Sequence, residues 1–332
     1  MAAPLLHDLT CAVHLHSLHS DGTGTVPEIV RAARRAGVDV VLLTDHDTME
    51  GRRLEGWHDD VLLLVGIEVS PRGENHYLAF GIDEPVDHRG LSPAEICRAV
   101  ADAGGFGFAA HPWSEGPRLF PDRPGMPWRD LDCDALAGVE LWSFVTDTAE
   151  ALGSWREALR FVVRPELALS GPPVRNLREW DRLNRDRRVV GIGGIDAHQV
   201  GRRVLGRWVV RPMGYARSFR QLRTHVLCEE LPTGELRRDR AQVYDALRSG
   251  RCYIAADSLA PARGFAFWGD SDGVHVRLPR PARIALVRDG TIATWVDGSS
   301  LDHPTEALDG WRVEAHLWAL GRYRTWIVSN PL

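Results

Sequence analysis

Short apolar runs alternate with amphipathic stretches over residues 10–200. The runs at 10–16, 38–44, 61–69, 76–81, 106–110, 138–141 and 189–195 have the length and bounding turn residues of buried strands. The stretches between them read as helices. Residues 27–36 open with Pro27 and are followed by Gly37, which is start and stop chemistry for a helix. Residues 92–103 open with Ser92-Pro93-Ala94-Glu95, a capping-box pattern, and end at Gly104-Gly105. Strands alternating with helices predict a parallel sheet, open or closed. Residues 113–130, rich in Pro, Trp, Arg and Gly, read as a long loop of the kind that carries function. Residues 218–250 read as helical again, with 242–248 ending at Gly250.

Past residue 255 the texture changes. Alternating runs at 274–278, 284–287, 291–296, 311–318 and 325–328 are separated by Gly, Asp and Pro, and Asp289-Gly290 is a strong hairpin signal. This predicts a small antiparallel β domain over 255–332, following a larger catalytic-type domain over 1–254. Ten of the 14 histidines precede residue 200, so the chemistry is expected in the first domain.

The composition, 44% hydrophobic and 26% charged over 332 residues, is that of a globular chain long enough for a large core. A net charge of −5 gives no sign of an extended nucleic-acid groove. All 40 basic residues are arginine, which excludes Schiff-base chemistry and a phosphate-loop lysine. The five cysteines are scattered and form no CxxC pair, which fits a reducing cytoplasm. The first residues lack a charged segment followed by a long apolar one, and no window of about 18 residues is free of charge. The expectation is a cytoplasmic protein with neither signal peptide nor membrane span; oligomeric state is not visible.

The strand ends carry the candidate chemistry. His14 and His16 close the first run, and on a strand residues two apart share a face, so both imidazoles could meet one point. Asp21 follows in Ser20-Asp21-Gly22. Thr44-Asp45-His46-Asp47 closes the second run, Glu68 sits near the end of the third, His76 starts the fourth, His111 closes the fifth and Asp196-Ala197-His198 closes the seventh. In parallel α/β folds ligands bind outside the carboxyl ends of the strands. Six segments thus deliver imidazoles and carboxylates to one edge, which reads as a metal site.

The motifs His14-Leu15-His16 with Ser20-Asp21-Gly22, Thr44-Asp45-His46, Gly66-Ile67-Glu68, Ala110-His111-Pro112, Gly138-Val139-Glu140 and Asp196-Ala197-His198 occur in the order of the PHP (polymerase and histidinol phosphatase) superfamily, which the chain resembles. The resemblance implies an α/β fold, a distorted (β/α)7 barrel with two to three divalent ions (Zn, Mn or Fe) at its open end. It implies that His14, His16, Glu68 and Asp196 hold one ion, that Glu68 bridges to a second on His76 and His111, and that Asp21, His46 and His198 hold a third. Glu140 is expected to support the ligands rather than to be one. Asp245-Ala246-Leu247-Arg248-Ser249-Gly250-Arg251 before the β tail, and Trp326-Ile327-Val328-Ser329-Asn330-Pro331-Leu332 at its end, are similar to the CehA/McbA-type branch, which includes carbamate hydrolases.

Bridged divalent ions bring a shared water toward neutrality in pKa, and the resulting hydroxide attacks phosphorus or a carbonyl carbon. No protein nucleophile is needed. Arg118, Arg202 and Arg203 are candidates to bind the remaining phosphate oxygens. Asp45, Asp47 and Asp122 are candidates to orient ligand histidines by hydrogen bonds. Trp113 and Trp128 are candidates to line the pocket, with packing the simpler role for each. His19 stays outside the set. The leading reading is a phosphoesterase acting on a small phosphorylated molecule or nucleotide. A carbamate, ester or amide hydrolase is the runner-up. A non-catalytic scaffold is third, and the complete set of nine ligand positions argues against it.

Overall fold

The computed structural model describes residues 4–168, 170–199, 201–204, 208–211, 213–319 and 321–332, with the side chains at 167, 202–204 and 208–210 outside that description. The first half follows the predicted alternation: β1 (His7–Val13), α1 (Val26–Ala36), β2 (Val40–Leu43), β3 (Gly56–His58), β4 (Val61–Val65), β5 (Ile67–Val69), β6 (Tyr77–Phe80), α2 (Pro93–Asp102), β7 (Phe106–Ala109), β8 (Gly138–Ser143), α3 (Phe144–Ala151), α4 (Trp155–Val163), α5 (Val174–Asp186) and β9 (Val190–Gly194). Both helix starts predicted from sequence carry full capping boxes, Thr25 with Glu28 and Ser92 with Glu95, and Gly37 closes α1 at φ 69°.

Three expectations need correction. The run at 61–69 is two strands, parted at Gly66, where a Cβ would sit 2.5 Å from the Ala79 carbonyl oxygen. The run at 76–81 becomes β6, which is antiparallel to both β5 and β7. Its amino end therefore lies at the edge where the neighbouring parallel strands have their carboxyl ends. Residues 218–250 are not helical throughout. After β10 (Arg202–Val204), β11 (Trp208–Val210) and α6 (Tyr215–Ser218), the segment Arg223–Cys228 is β12, antiparallel to β1, and only α7 (Leu236–Arg248) is helix. Five of the six β12 residues are buried, and burial on both faces erases the alternation that would mark a strand.

The tail gives β13 (Cys252–Ala255), β14 (Ala266–Asp270), β15 (Gly273–Arg288), β16 (Thr291–His303), β17 (Trp311–Ala319) and β18 (Arg322–Ser329). The β15–β16 turn is Asp289-Gly290 with φ 50° and 80°, the left-handed pair that an Asp-Gly hairpin needs. These strands continue an eleven-stranded sheet ordered β14-β15-β17-β18-β13-β12-β1-β2-β4-β3, with β16 on β15; a five-stranded sheet runs β5-β6-β7-β8-β9.

Strand alternation sorts the core into layers. Val40 and Leu42 of β2 and Leu62 and Leu64 of β4 point into one cluster with Phe80, Phe108 and Ile192 of the second sheet. Val41, Leu43, Leu63 and Val65 point the other way, against Ile29 and Ala33 of α1. Leu286, Val313 and Trp326 of the tail belong to a third cluster. Arg312 of β17 reaches back to α5, placing its Nε and Nη2 2.7 and 2.9 Å from the two carboxylate oxygens of Asp181. Among the described residues no helix is long and apolar enough to cross a membrane.

Candidate metal centre

All nine predicted ligand residues meet at one edge. His14 and His16 reach it differently from expectation. β1 ends at Val13, and His14 turns to φ 63°. Ile195 donates to the Val13 carbonyl at 2.9 Å and Asp196 to the His14 carbonyl at 2.7 Å, so β1 is tied to the residues after β9 at the point where the strand conformation is lost. His111 and Asp196 also have positive φ, 30° and 54°. Three of the nine thus sit in backbone conformations that non-glycine residues seldom adopt, which is a recurrent feature of functional sites.

Glu68 is the centre of the cluster. Its Oε1 lies 2.8 Å from His76 Nδ1 and 3.5 Å from His111 Nε2; its Oε2 lies 3.3 Å from the Nε2 of His14 and of His16, and 3.2 Å from His46 Nδ1. Asp196 Oδ1 lies 3.5, 3.4 and 3.5 Å from His14, His16 and His198. Asp21 Oδ1 lies 3.8, 3.7 and 3.1 Å from His16, His46 and His198. Four groups have ligand atoms within 4.8 Å of one another: His16, Asp21, His46 and His198; His14, Glu68 and His111; His14, His16 and Asp196; His46, Glu68 and His76. His111 thus groups with His14, and His76 with His46, rather than the two with each other. Glu68 is 1% exposed and Asp21 57%, so the cluster runs from a buried end to an open one.

The residues fit metal ions. Both ring nitrogens of buried His16, and Nδ1 of His111, have no hydrogen-bond partner. Donor atoms held by one ion at about 2.1 Å stand roughly 3.0–3.4 Å apart in octahedral or tetrahedral arrangement. Five of the eleven spacings above fall in that range and five are longer, so all but one exceed 3.0 Å. Electrostatics agree. Burial alone would raise the Glu68 carboxyl, but His14 and the bonds from His111, His14 and His76 hold it well below the usual range. Asp196 is lowered likewise against its burial, chiefly by His14 and His198. Burial opposes charge on His198, yet Asp196 and Asp21 lift it to about 9. Carboxylates kept ionised at this depth demand positive charge beside them, and a divalent ion supplies it in place of imidazole protons.

Surrounding residues hold the ligands. Glu140 lies 2.9 Å from His14 Nδ1 and accepts the His111 backbone N–H at 2.7 Å. Asp45 accepts from Ser17 N, Ser17 Oγ and Ser20 Oγ, each at 2.6 Å, and so fixes the loop between His16 and Asp21 rather than a histidine ring. Gly22 completes that loop, where a Cβ would lie 2.2 Å from the His16 carbonyl oxygen. Asp47 accepts from Ser70 N and sits 3.2 Å from His88. Three supports escaped the sequence reading: Ser70 Oγ, 2.6 Å from His46 Nδ1; Thr146 Oγ1, 3.0 Å from Asp196 Oδ2; and Tyr215, whose hydroxyl donates to the His16 carbonyl at 2.6 Å. Nothing near Ser70, Thr146 or Tyr215 in sequence marks them, because the folded chain alone brings them to the cluster.

The remaining candidates stand apart. His19 pairs with Glu50 at 3.2 Å and belongs to none of the four groups. Arg118 is exposed, and its charge acts on Glu157 of α4. Asp122 is exposed as well. Trp128 is buried against Tyr77 and donates to the Asp130 carbonyl, a packing role, and Trp113 is half-buried. The side chains of Arg202 and Arg203 lie outside the described residues.

No family model matches the chain. An uncharacterized protein of Methanocaldococcus jannaschii, MJ1587, is 28% identical over 146 residues, covering 40% of this chain and 80% of that protein. The phosphoribosyl 1,2-cyclic phosphate 1,2-diphosphodiesterase of Eggerthella lenta is 36% identical over 80 residues, covering 22% of this chain and 30% of that enzyme. Among solved structures, a two-domain protein of Bacteroides vulgatus containing a predicted PHP-like metal-dependent phosphoesterase superposes with TM-score 0.49 at 16% identity, over 99% of this chain and 97% of that one.

Proposed function

We propose that this chain is a metal-dependent phosphoesterase of the PHP type. The observation that carries the reading is Glu68, a buried carboxylate within 3.5 Å of five imidazoles, two of which have ring nitrogens without hydrogen-bond partners. His14, His16, Asp21, His46, Glu68, His76, His111, Asp196 and His198 would hold two to three divalent ions, with Glu68 shared between them. Bound ions would supply Lewis acidity toward phosphoryl oxygens and acidify a water. The chain's own residues do the positioning. Glu140 accepts a hydrogen bond from His14 Nδ1–H, which would leave Nε2 free to hold an ion. Ser70 orients His46, Thr146 orients Asp196, and the Asp45 loop sets Asp21 at the open end, where substrate enters.

The two sheets are read as the walls of a distorted (β/α)7 barrel over residues 1–254, followed by a β domain over 255–332 in the CehA/McbA-type layout. Support for the barrel comes from the bonds that join the sheets at both sides: Ile195 N to the Val13 carbonyl at 2.9 Å, and Glu68 N to the Asp45 carbonyl at 3.1 Å. The core shared by the two sheets supports it as well. The Eggerthella enzyme's action on a cyclic phosphate diester agrees with phosphoester chemistry.

The test is a substrate panel. Metal-loaded protein is assayed on p-nitrophenyl phosphate, bis-p-nitrophenyl phosphate and a naphthyl carbamate. Turnover of a phosphate ester, abolished by chelation, is expected. Turnover of the carbamate alone would overturn the reading.

A further inference from the structure

A cavity of about 350 Å³ lies against α7, and none of the nine candidate metal ligands lines it. Every segment that forms it lies within the described residues. One wall is a single stripe of α7. Arg237, Ala241, Tyr244 and Arg248 recur at intervals of four, three and four, which places them on one helical face. Gly81 and Gly104, from the turns after β6 and before β7, contribute to the other side.

Most charges in the cavity wall are matched. Arg52 donates to the Asp83 carboxylate and to the Ile82 carbonyl. Arg240 Nη1 donates to Glu55 Oε2 at 3.0 Å, and Asp245 is taken by Arg251 at 2.6 Å. Two arginines are left over. Among the described residues Arg237 has neither a hydrogen-bond nor an ion-pair partner. Arg248 donates to the Gly105 carbonyl at 2.9 Å, and its guanidinium carbon lies 5.2 Å from the centre of the Phe106 ring. Those contacts hold the guanidinium in place without neutralising it. Between the two stands Tyr244. Its ring packs on Phe80 and Phe106, and its hydroxyl has no hydrogen-bond partner among the described residues.

We propose that this cavity binds a small polyhydroxylated molecule with a phosphate at each end, of the sugar bisphosphate kind. Two unmatched guanidinium groups complement two phosphates, whose oxygens suit the planar guanidinium fork. Arg237 and Arg248 are eleven positions apart, about 16 Å along a helix. One phosphate cannot bridge that span. Two phosphates joined by a short polyol can, once each side chain reaches inward. The Tyr244 hydroxyl, midway along the stripe, would meet a hydroxyl of the linking part. The inference is independent of what the metal centre does.

Calorimetric titration of the full chain tests this, with chelator present so that the metal centre neither holds nor turns over the probe. Fructose 1,6-bisphosphate should bind saturably, and at least about tenfold more tightly than fructose 6-phosphate or inorganic phosphate. Arg237→Gln and Arg248→Gln should each weaken the bisphosphate by about tenfold, to the level of the monophosphate. Tyr244→Phe should weaken both sugar phosphates and leave inorganic phosphate unchanged. Arg238→Gln is the control. Its side chain pairs with Glu230 and does not line the cavity, so this variant should bind like the wild type. No saturable binding of the bisphosphate would overturn the proposal. So would an equal loss in Arg238→Gln and in the two cavity variants, which would mark a diffuse charge effect, or full binding in both cavity variants with unchanged far-UV circular dichroism. Equal affinity for the bisphosphate and inorganic phosphate would overturn the bisphosphate assignment.

Discussion

Glu140 grips His14 Nδ1 at 2.9 Å, and the same carboxylate accepts the backbone N–H of His111 at 2.7 Å. One buried side chain from β8 therefore fixes two of the nine ligand residues. Imidazole ligands are oriented by the partner of their other nitrogen. Glu140→Gln should lower metal affinity by about 10–100-fold, read by competition with a coloured chelator. Gly194→Ala should produce a similar loss without touching a ligand, because a Cβ there would lie 1.7 Å from the Glu140 carboxylate.

Tyr215 holds the other early ligand from outside the cluster. Its hydroxyl donates to the His16 carbonyl at 2.6 Å and lies 3.3 Å from the Gly24 N–H. Burial pushes this phenol up to about 12, so it stays a donor at any working pH. Tyr215→Phe leaves a buried carbonyl unpaired and should cost about 1–3 kcal/mol. Urea unfolding of the chelated protein measures this free of any metal contribution.

A second buried histidine responds to pH away from the site. Burial opposes charge on His225, but Asp257 and Asp8, at 3.3 and 2.7 Å, raise its pKa. The folded state thus favours the protonated ring. Its stabilising contribution is complete below the unfolded value of about 6.5 and is lost as pH rises through the raised folded value. In chelated protein, stability should fall across that window, and His225→Gln should flatten part of the slope. An unchanged slope in the variant would contradict the assignment.

The Arg312–Asp181 pair links the β tail to α5, with both side chains nearly inaccessible. Breaking one side of a buried, two-point ion pair is far more harmful than replacing both. Asp181→Ala should destabilise by about 1–3 kcal/mol, because Glu314 Oε1, 2.6 Å from Arg312 Nη1, still compensates the guanidinium. Arg312→Met, which leaves both Asp181 and Glu314 without their cation, should cost more in the same denaturation assay.

Much of the site could be read from sequence, for a local reason. His14, His16, His46, His111 and Asp196 each follow an apolar run, and a strand end can be recognised without knowing its neighbours. What stayed hidden depends on remote pairing. His14 and His16 were expected on a strand, yet contacts from Ile195 and Asp196 end β1 before them. His76 reaches the cluster because β6 runs antiparallel, a direction that its four buried residues do not encode. Residues 223–228 read as helix because two-sided burial removes the strand alternation. Glu140 was legible as a support, whereas Ser70, Thr146 and Tyr215 carry no signal of their own.

Metal stoichiometry tests the central claim most directly. Protein dialysed against a divalent ion and then freed of excess should hold two to three ions per chain by plasma mass spectrometry. His14→Ala combined with His16→Ala should lose at least one of them, because His14 and His16 between them enter three of the four ligand groups. Glu68→Ala should lose more than one. Less than one ion per wild-type chain, or an unchanged content in the double variant, would contradict the account.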